Sequence, residues 1–238
     1  MTRLIIVLGG TGFVGQAVTT HLRNVLGDVS VISIDRTGSD FDVNLESDFK
    51  IDAVLESLSL NGSVEHLSMI NCAGQTVFTD NELRSMDEIL TVAQSQLGIS
   101  IVALNQLVHL CRRKKIPGTA ILMSSIFATN APRFEIYRSL NRQSSEIYGA
   151  TKAGVERLAK YYAQKYGREQ IRVNCISPGG IFDPNVHSQE FRAEYATATA
   201  LGRMTELDEV VRAISFLESD DSSGITGAVI PVDCGYGL

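Results

Sequence analysis

The chain has 238 residues, enough to bury a large core without help from disulfides or a structural metal. Hydrophobic residues make up 44% and charged residues 20%, and Gly and Pro are too few for a low-complexity chain, so disorder is excluded as its main character. The net charge of −6 lacks the basic surplus with which nucleic-acid binders neutralise phosphates, and no apolar run approaches the roughly 18 residues of a membrane span.

Apolar runs at 3–8, 29–34, 66–71, 118–123, 171–176 and 227–232 are almost continuous in Val, Ile and Leu, as strands buried on both faces must be. A shorter run lies near 41–43. Helical periodicity fills the intervals at about 12–26, 46–59, 82–115, 145–166 and 206–218. This alternation predicts an α/β fold, a doubly wound parallel sheet with helices on both faces. No linker, repeat or composition shift divides residues 1–238, which read as one domain. Two stretches, 124–144 and 177–204, break the alternation directly after strands. Both should lie at the carboxyl edge of the sheet, where such folds bind ligands, so loops at about 126–147 and 180–204 are expected to cover a substrate.

Arg112, Arg113, Lys114 and Lys115 end a helical pattern, where cations complement the helix dipole, so they do not argue for a nucleic-acid partner. Cys72, Cys111, Cys175 and Cys234 have no zinc-ligand spacing, and buried inert thiols with no metal are expected. The strand-like Leu4–Leu8 run follows the N-terminus without a signal-peptide pattern, and a cytoplasmic chain is expected.

Gly9, Gly12 and Gly15 form a glycine-rich turn after the first strand, and the next strand ends in Asp35, 20 residues past Gly15. Such glycines allow a tight turn, backbone approach to a pyrophosphate, and close packing of helix on strand. A carboxylate at Asp35 can accept both hydroxyls of an adenosine ribose and repel a 2′-phosphate, which points to NAD. The guanidinium of Arg36 could instead receive that phosphate, so NADP stays open. Asp42 could reach the adenine edge or serve only as a turn aspartate. Asn71, Ala73 and Gly74 end a core strand with little bulk, leaving room for the nicotinamide-side ribose.

Tyr148 and Lys152 stand four apart on one helix face, where an ammonium favours a phenolate and brings its pKa toward working pH. Tyr161 and Lys165 repeat the spacing. Helical phase separates the pairs, because Tyr148, Lys152, Val155, Ala159 and Tyr162 share one inward stripe, while Tyr161 lies about 220° around from Tyr148. The first pair is therefore expected in a cleft and the second on a solvated edge.

The glycine turn, Asp35, Asn71-Cys72-Ala73-Gly74, Ser124-Ser125, Tyr148 with Lys152, the Arg172–Gly180 stretch and the Val232–Tyr236 ending, in this order, resemble the short-chain dehydrogenase/reductase family from first strand to last residue. The stretches Ser125–Phe127, Ala131–Tyr137 and Ser177–Ile181 resemble members linked to bacterial surface-sugar and flagellin modification. The family resemblance implies a single-domain Rossmann-type sheet of about seven strands and hydride transfer between an alcohol and a carbonyl. It makes Tyr148 the general acid/base, Lys152 the group that lowers its pKa and holds a ribose, and Ser125 the partner of the reacting oxygen. The implied cofactor residues are Gly9, Thr11, Gly12, Phe13, Val14, Gly15, Asp35, Arg36, Asp42, Asn71, Ala73, Gly74, Tyr148, Lys152, Pro178, Gly179 and Ile181. A homodimer or homotetramer is also implied.

The chain departs from the pattern in three places. Its glycine spacing is that of larger sugar-nucleotide-modifying relatives. The family's relay asparagine has no clear counterpart, with Ser95 nearest by spacing. Asp183 stands where a threonine is common. Between Ser125 and Tyr148, Arg133, Arg138 and Arg142 could grip a sugar phosphate or nucleotide sugar, or could belong to a solvated loop. The expected reaction is thus alcohol–carbonyl interconversion on a polar, sugar-type small molecule. The alternatives are a 3-oxoacyl-carrier-protein reductase and a non-catalytic dinucleotide sensor.

Overall fold

The computed structural model describes residues 3–27, 29–45, 53–54, 64–74, 78–79, 85–140 and 143–238. The apolar runs form strands β1 (Arg3–Leu8), β2 (Val29–Asp35), β3 (Phe41–Asp42) and β4 (His66–Asn71). Strands β6 (Gly118–Met123), β8 (Ile171–Pro178) and β9 (Val229–Val232) complete a seven-stranded parallel sheet ordered β3-β2-β1-β4-β6-β8-β9. Two further short strands, β5 (Phe78–Thr79) and β7 (Gln143–Ser144), make a separate antiparallel pair.

Among the described residues, the strands are accompanied by α1 (Phe13–Val25), α2 (Met86–Ala93), α3 (Ile99–Lys114), α4 (Glu146–Tyr166), α5 (Gln189–Ala196) and α6 (Leu207–Glu218). Alternating strand residues supply two cores. Leu4, Ile6 and Leu8 pack with Leu104 and Leu107 of α3 and Val155 and Ala159 of α4. Ile5 and Val7 pack with Val18 and Leu22 of α1 and Val210 and Ile214 of α6. The central strands β1, β4, β6 and β8 are buried on both sides, which is why their sequences are largely apolar rather than alternating, whereas the edge strands β3 and β9 are partly exposed.

The helix expected over 46–59 lies outside the described residues except for the helical pair 53–54, as do residues 82–84 of the expected helix over 82–115. The rest of that segment is interrupted by a π-helical turn, Gln94–Gly98, between α2 and α3. One extra residue in the turn rotates the side chains that follow it, a shift that hydrophobic periodicity does not report. Helix α5 also lies in a stretch read as loop. The Ser188 hydroxyl caps it, accepting the Phe191 N–H at 3.1 Å.

The basic end of α3 behaves as a solvated helix terminus, with Arg112 paired to Glu169 at 2.8 Å. Among the described residues, no helix is long and apolar enough to cross a membrane.

The register decides where function can sit. Leu8 stands opposite Ile34 on one side and Asn71 on the other, and Met123 stands opposite Ile176. The strands therefore end level. Chain order reverses between β1 and β4, so the turns after β1, β2, β4, β6 and β8 gather around one crevice.

Candidate active site

The glycine turn after β1 is tightly built. Gly9 has φ +72°, a conformation that favours glycine, and a Cβ there would meet the Ala73 backbone at 2.7 Å. Its N–H donates to the Ile34 carbonyl at 2.9 Å, and the Gly12 N–H donates to the Gly9 carbonyl at 3.1 Å. Gly15 faces Gly9 so closely that a Cβ would come within 2.1 Å of the Gly9 carbonyl oxygen. Phe13 is exposed, whereas Val14 packs on the core.

Asp35 is clasped to this turn. Its Oδ2 accepts the Thr11 N–H at 3.0 Å and the Thr11 hydroxyl at 2.6 Å, and its Oδ1 accepts the Arg36 N–H at 2.8 Å. Burial pushes the carboxyl up, but the Thr11 and Arg36 hydrogen bonds outweigh it and hold the pKa below its ordinary value. Thr11 thus positions Asp35 through its side chain. Asp42 accepts hydrogen bonds from the Ser39 N–H at 3.0 Å and the Ser39 hydroxyl at 3.1 Å, so its carboxylate holds the turn between β2 and β3.

After β4, the Asn71 Oδ1 accepts the Ala73 N–H at 3.1 Å, and its amide donates to the Ser100 hydroxyl at 3.0 Å. Ser100 in turn donates to the Gln96 carbonyl at 3.0 Å. The π turn brings the buried Gln96 side chain over Gly74, where a Cβ would meet its Oε1 at 2.7 Å. The neighbouring Ser95 hydroxyl instead donates to the Val92 carbonyl of its own helix at 3.0 Å. Gln96, which spacing did not single out, is therefore the polar side chain beside the Asn71–Gly74 turn. Its signal was hidden by the extra residue of the π turn.

Ser124 and Ser125 follow β6, and both are buried. The Ser125 Oγ accepts the Phe127 N–H at 3.2 Å. The Ser124 hydroxyl donates to the buried Glu156 carboxylate at 2.7 Å, tying the strand end to α4. A Cβ at Gly149 would meet the Phe127 carbonyl at 2.7 Å, so the glycine after Tyr148 lets the Ser125 turn press against α4. That glycine was visible in the sequence and can be explained only by this contact.

Tyr148, Lys152 and the apolar stripe below them face inward, as helical phase predicts. Lys152, Val155, Ala159 and Tyr162 are buried, whereas Tyr161 is 51% exposed. The Lys152 Nζ donates to the Met123 carbonyl at 2.9 Å and lies 5.7 Å from the Tyr148 ring centroid. Burial pulls the Lys152 pKa down to about 8 from an ordinary 10.5. Below pH 8 the folded protein carries a desolvated ammonium. Between pH 8 and 10.5 the unfolded chain binds the extra proton, so stability rises with pH across that window. Relative to Lys152→Met, the wild type should gain up to roughly 3 kcal/mol there, read by urea unfolding at stepped pH. A flat difference would show that the ammonium is not desolvated.

Pro178, Gly179 and Ile181 stand at the end of β8. The Gly179 N–H donates to the Val232 carbonyl at 2.9 Å, and Ile181 pairs with Thr205. Asp183 accepts the Asn185 N–H at 2.9 Å, which holds a local turn.

Beyond this edge, the 126–147 and 180–204 segments meet in a third apolar cluster containing Ile136, Tyr137, Phe191, Tyr195 and Tyr236. Arg133 is exposed and lies 5.4 Å from the Tyr236 ring centroid. Arg142 lies outside the described residues, and Arg138 is described only by its backbone within a 3₁₀ segment. A cavity of about 550 Å³ opens beside Phe127, Pro132, Phe134, Ser144, Glu146 and Ala150. Ser125, Tyr148 and Lys152 are not among the residues of its wall.

A family profile described as enoyl-(acyl carrier protein) reductase matches residues 41–237. Post-translational flagellin modification protein A of Campylobacter coli is 27% identical over 99% of this chain and 98% of its own length. The 7alpha-hydroxysteroid dehydrogenase of Bacteroides fragilis is 26% identical over 98% of this chain and 93% of its own. A solved short chain dehydrogenase from Leptospira borgpetersenii, with bound NAD+, is 29% identical with a TM-score of 0.87, covering 100% of this chain and 94% of that one. The sheet order, the ordered motifs at its carboxyl edge and the profile match over most of the sequence agree, and the chain belongs to the short-chain dehydrogenase/reductase family.

Proposed function

We propose that this protein is an NAD(H)-dependent oxidoreductase that interconverts an alcohol and a carbonyl on a polar, sugar-type substrate. The observation that carries this reading is a buried lysine one helical turn from Tyr148, beside the Ser125 turn and on the same sheet edge as the Gly9–Asp35 clasp. The nucleotide end fits a dinucleotide. Gly9 and Gly15 let the turn close tightly on the Ala73 backbone and on itself, which keeps the backbone of the first helix close to the strand end, and Asp35 is held as a carboxylate where ribose hydroxyls can meet it. Bound NAD supplies the hydride acceptor for alcohol oxidation.

The protein's own groups handle the proton. The Tyr148 phenolate oxygen takes the proton of the substrate hydroxyl, and the Lys152 ammonium favours that phenolate. The Ser125 hydroxyl donates to the reacting oxygen and stabilises its charge.

Asp35→Ala removes the ribose acceptor and the repulsion toward a 2′-phosphate. The ratio of kcat/KM with NAD to that with NADP should fall at least about tenfold, roughly 1.4 kcal/mol. A wild-type preference for NADP would overturn the cofactor assignment.

The sugar-type substrate is supported by the full-length likeness to a flagellin modification protein. Arg133 gives no support to an anion grip, because its guanidinium lies against Tyr236 in solvent. The profile description favours a second reading, an acyl-carrier-linked oxo group as substrate. A turnover screen of free, phosphorylated and nucleotide-linked sugars and 3-oxoacyl thioesters, with both cofactors, separates the two. Binding of NADH without any turnover would leave a dinucleotide sensor.

A further inference from the structure

The Asp35 carboxylate at the end of β2 is already heavily engaged. Its Oδ2 accepts two hydrogen bonds from Thr11, the N–H at 3.0 Å and the hydroxyl at 2.6 Å. Its Oδ1 accepts the Arg36 N–H at 2.8 Å. An ionised carboxylate offers about four acceptor positions, two on each oxygen. Among the described residues, both positions on Oδ2 and one on Oδ1 are taken. A ribose that gives its two hydroxyls to the two carboxylate oxygens needs one position on each.

The carboxylate cannot back away to make room. The Asp35 N–H donates to the Ser39 hydroxyl at 2.9 Å, and the Asp35 carbonyl accepts the Val43 N–H at 2.6 Å, so its main chain is pinned on both sides. Nor are its three donors equivalent. Two are backbone N–H groups, which hold Oδ1 and Oδ2 whatever side chain stands at position 11. The third, the Thr11 hydroxyl, is a rotor on an exposed residue and can turn to water. It is the donor that can yield, but its bond is short and made to a charged acceptor, so yielding is unfavourable.

We infer that the Thr11 hydroxyl competes with a ribose hydroxyl for Asp35 Oδ2 and thereby sets the affinity of the dinucleotide site. This rests on the reading of the crevice as a dinucleotide site. The hydroxyl closes the clasp when no ribose is there, and it must rotate away before both ribose hydroxyls can bond the carboxylate. Removing it leaves Asp35 held by the two N–H groups and frees the acceptor position that the second ribose hydroxyl needs.

The test compares Thr11→Ser, which keeps the hydroxyl, with Thr11→Ala, which lacks it. Both lose the methyl group, so the pair isolates the hydroxyl. In fluorescence titrations of the intact chain, NADH should bind Thr11→Ala at least about threefold more tightly than Thr11→Ser. Analogues of NAD carrying 2′-deoxyadenosine or 3′-deoxyadenosine, read by displacement of NADH, locate the effect. The gain should disappear with at least one of them, the one lacking the hydroxyl that would face Oδ2. Equal or weaker NADH binding by Thr11→Ala overturns the inference, as does a gain that persists with both analogues, and either result leaves the dinucleotide reading in place. No NADH binding by the wild type or by either variant would overturn that reading and the inference with it.

Discussion

Tyr148→Phe should lower kcat/KM by about 10²- to 10⁴-fold, roughly 2.7–5.4 kcal/mol of transition-state stabilisation, while NADH affinity changes little. The substitution removes one oxygen and its proton and keeps the ring that Lys152 approaches at 5.7 Å from the centroid. The glycine turn and Asp35 are untouched, so a loss confined to turnover isolates the proton-transfer role. Tyr161→Phe is the matched control. That phenol repeats the tyrosine–lysine spacing, with Lys165 donating to it at 3.5 Å, but it is 51% exposed and off the buried stripe. Its removal should leave kinetics unchanged. The reverse pattern would place the active site on the wrong face of α4.

Gly15→Ala should raise the dissociation constant for NADH at least about 100-fold, roughly 2.7 kcal/mol, and lower stability by about 1–3 kcal/mol. The added methyl would stand 2.1 Å from the Gly9 carbonyl oxygen and 2.8 Å from its carbon. These are backbone atoms, and they cannot rotate away. Either α1 lifts from β1 or the turn opens, and both displace the Thr11 groups that hold Asp35. Gly224→Ala serves as control, because nothing lies within 4 Å of the site its methyl would occupy. Fluorescence titration with NADH and urea unfolding read the two effects separately. Unchanged NADH affinity in Gly15→Ala would show that the glycine turn is not where the dinucleotide is held.

The sequence by itself determined the sheet, because strands buried on both faces must be apolar along their whole length. It also determined which tyrosine–lysine pair lies inside, because helical phase is a local property that needs only 100° per residue and an apolar stripe. Local signals of this kind read correctly for Leu4–Leu8, for Asp35 at the end of β2 and for Lys152 on the buried face of α4. Other features depend on atoms far apart in sequence. Nothing local distinguishes Ser95 from Gln96; a π turn and the closeness of Gly74 decide which one lies beside the crevice. The arginine count of the 126–147 segment left an anion grip and a solvated loop open, and only the tertiary structure places the exposed Arg133 5.4 Å from the ring of Tyr236, 103 positions away. Periodicity records which side of an element is buried. Only the tertiary structure records what that side meets, because contacts between distant segments leave no period in the chain.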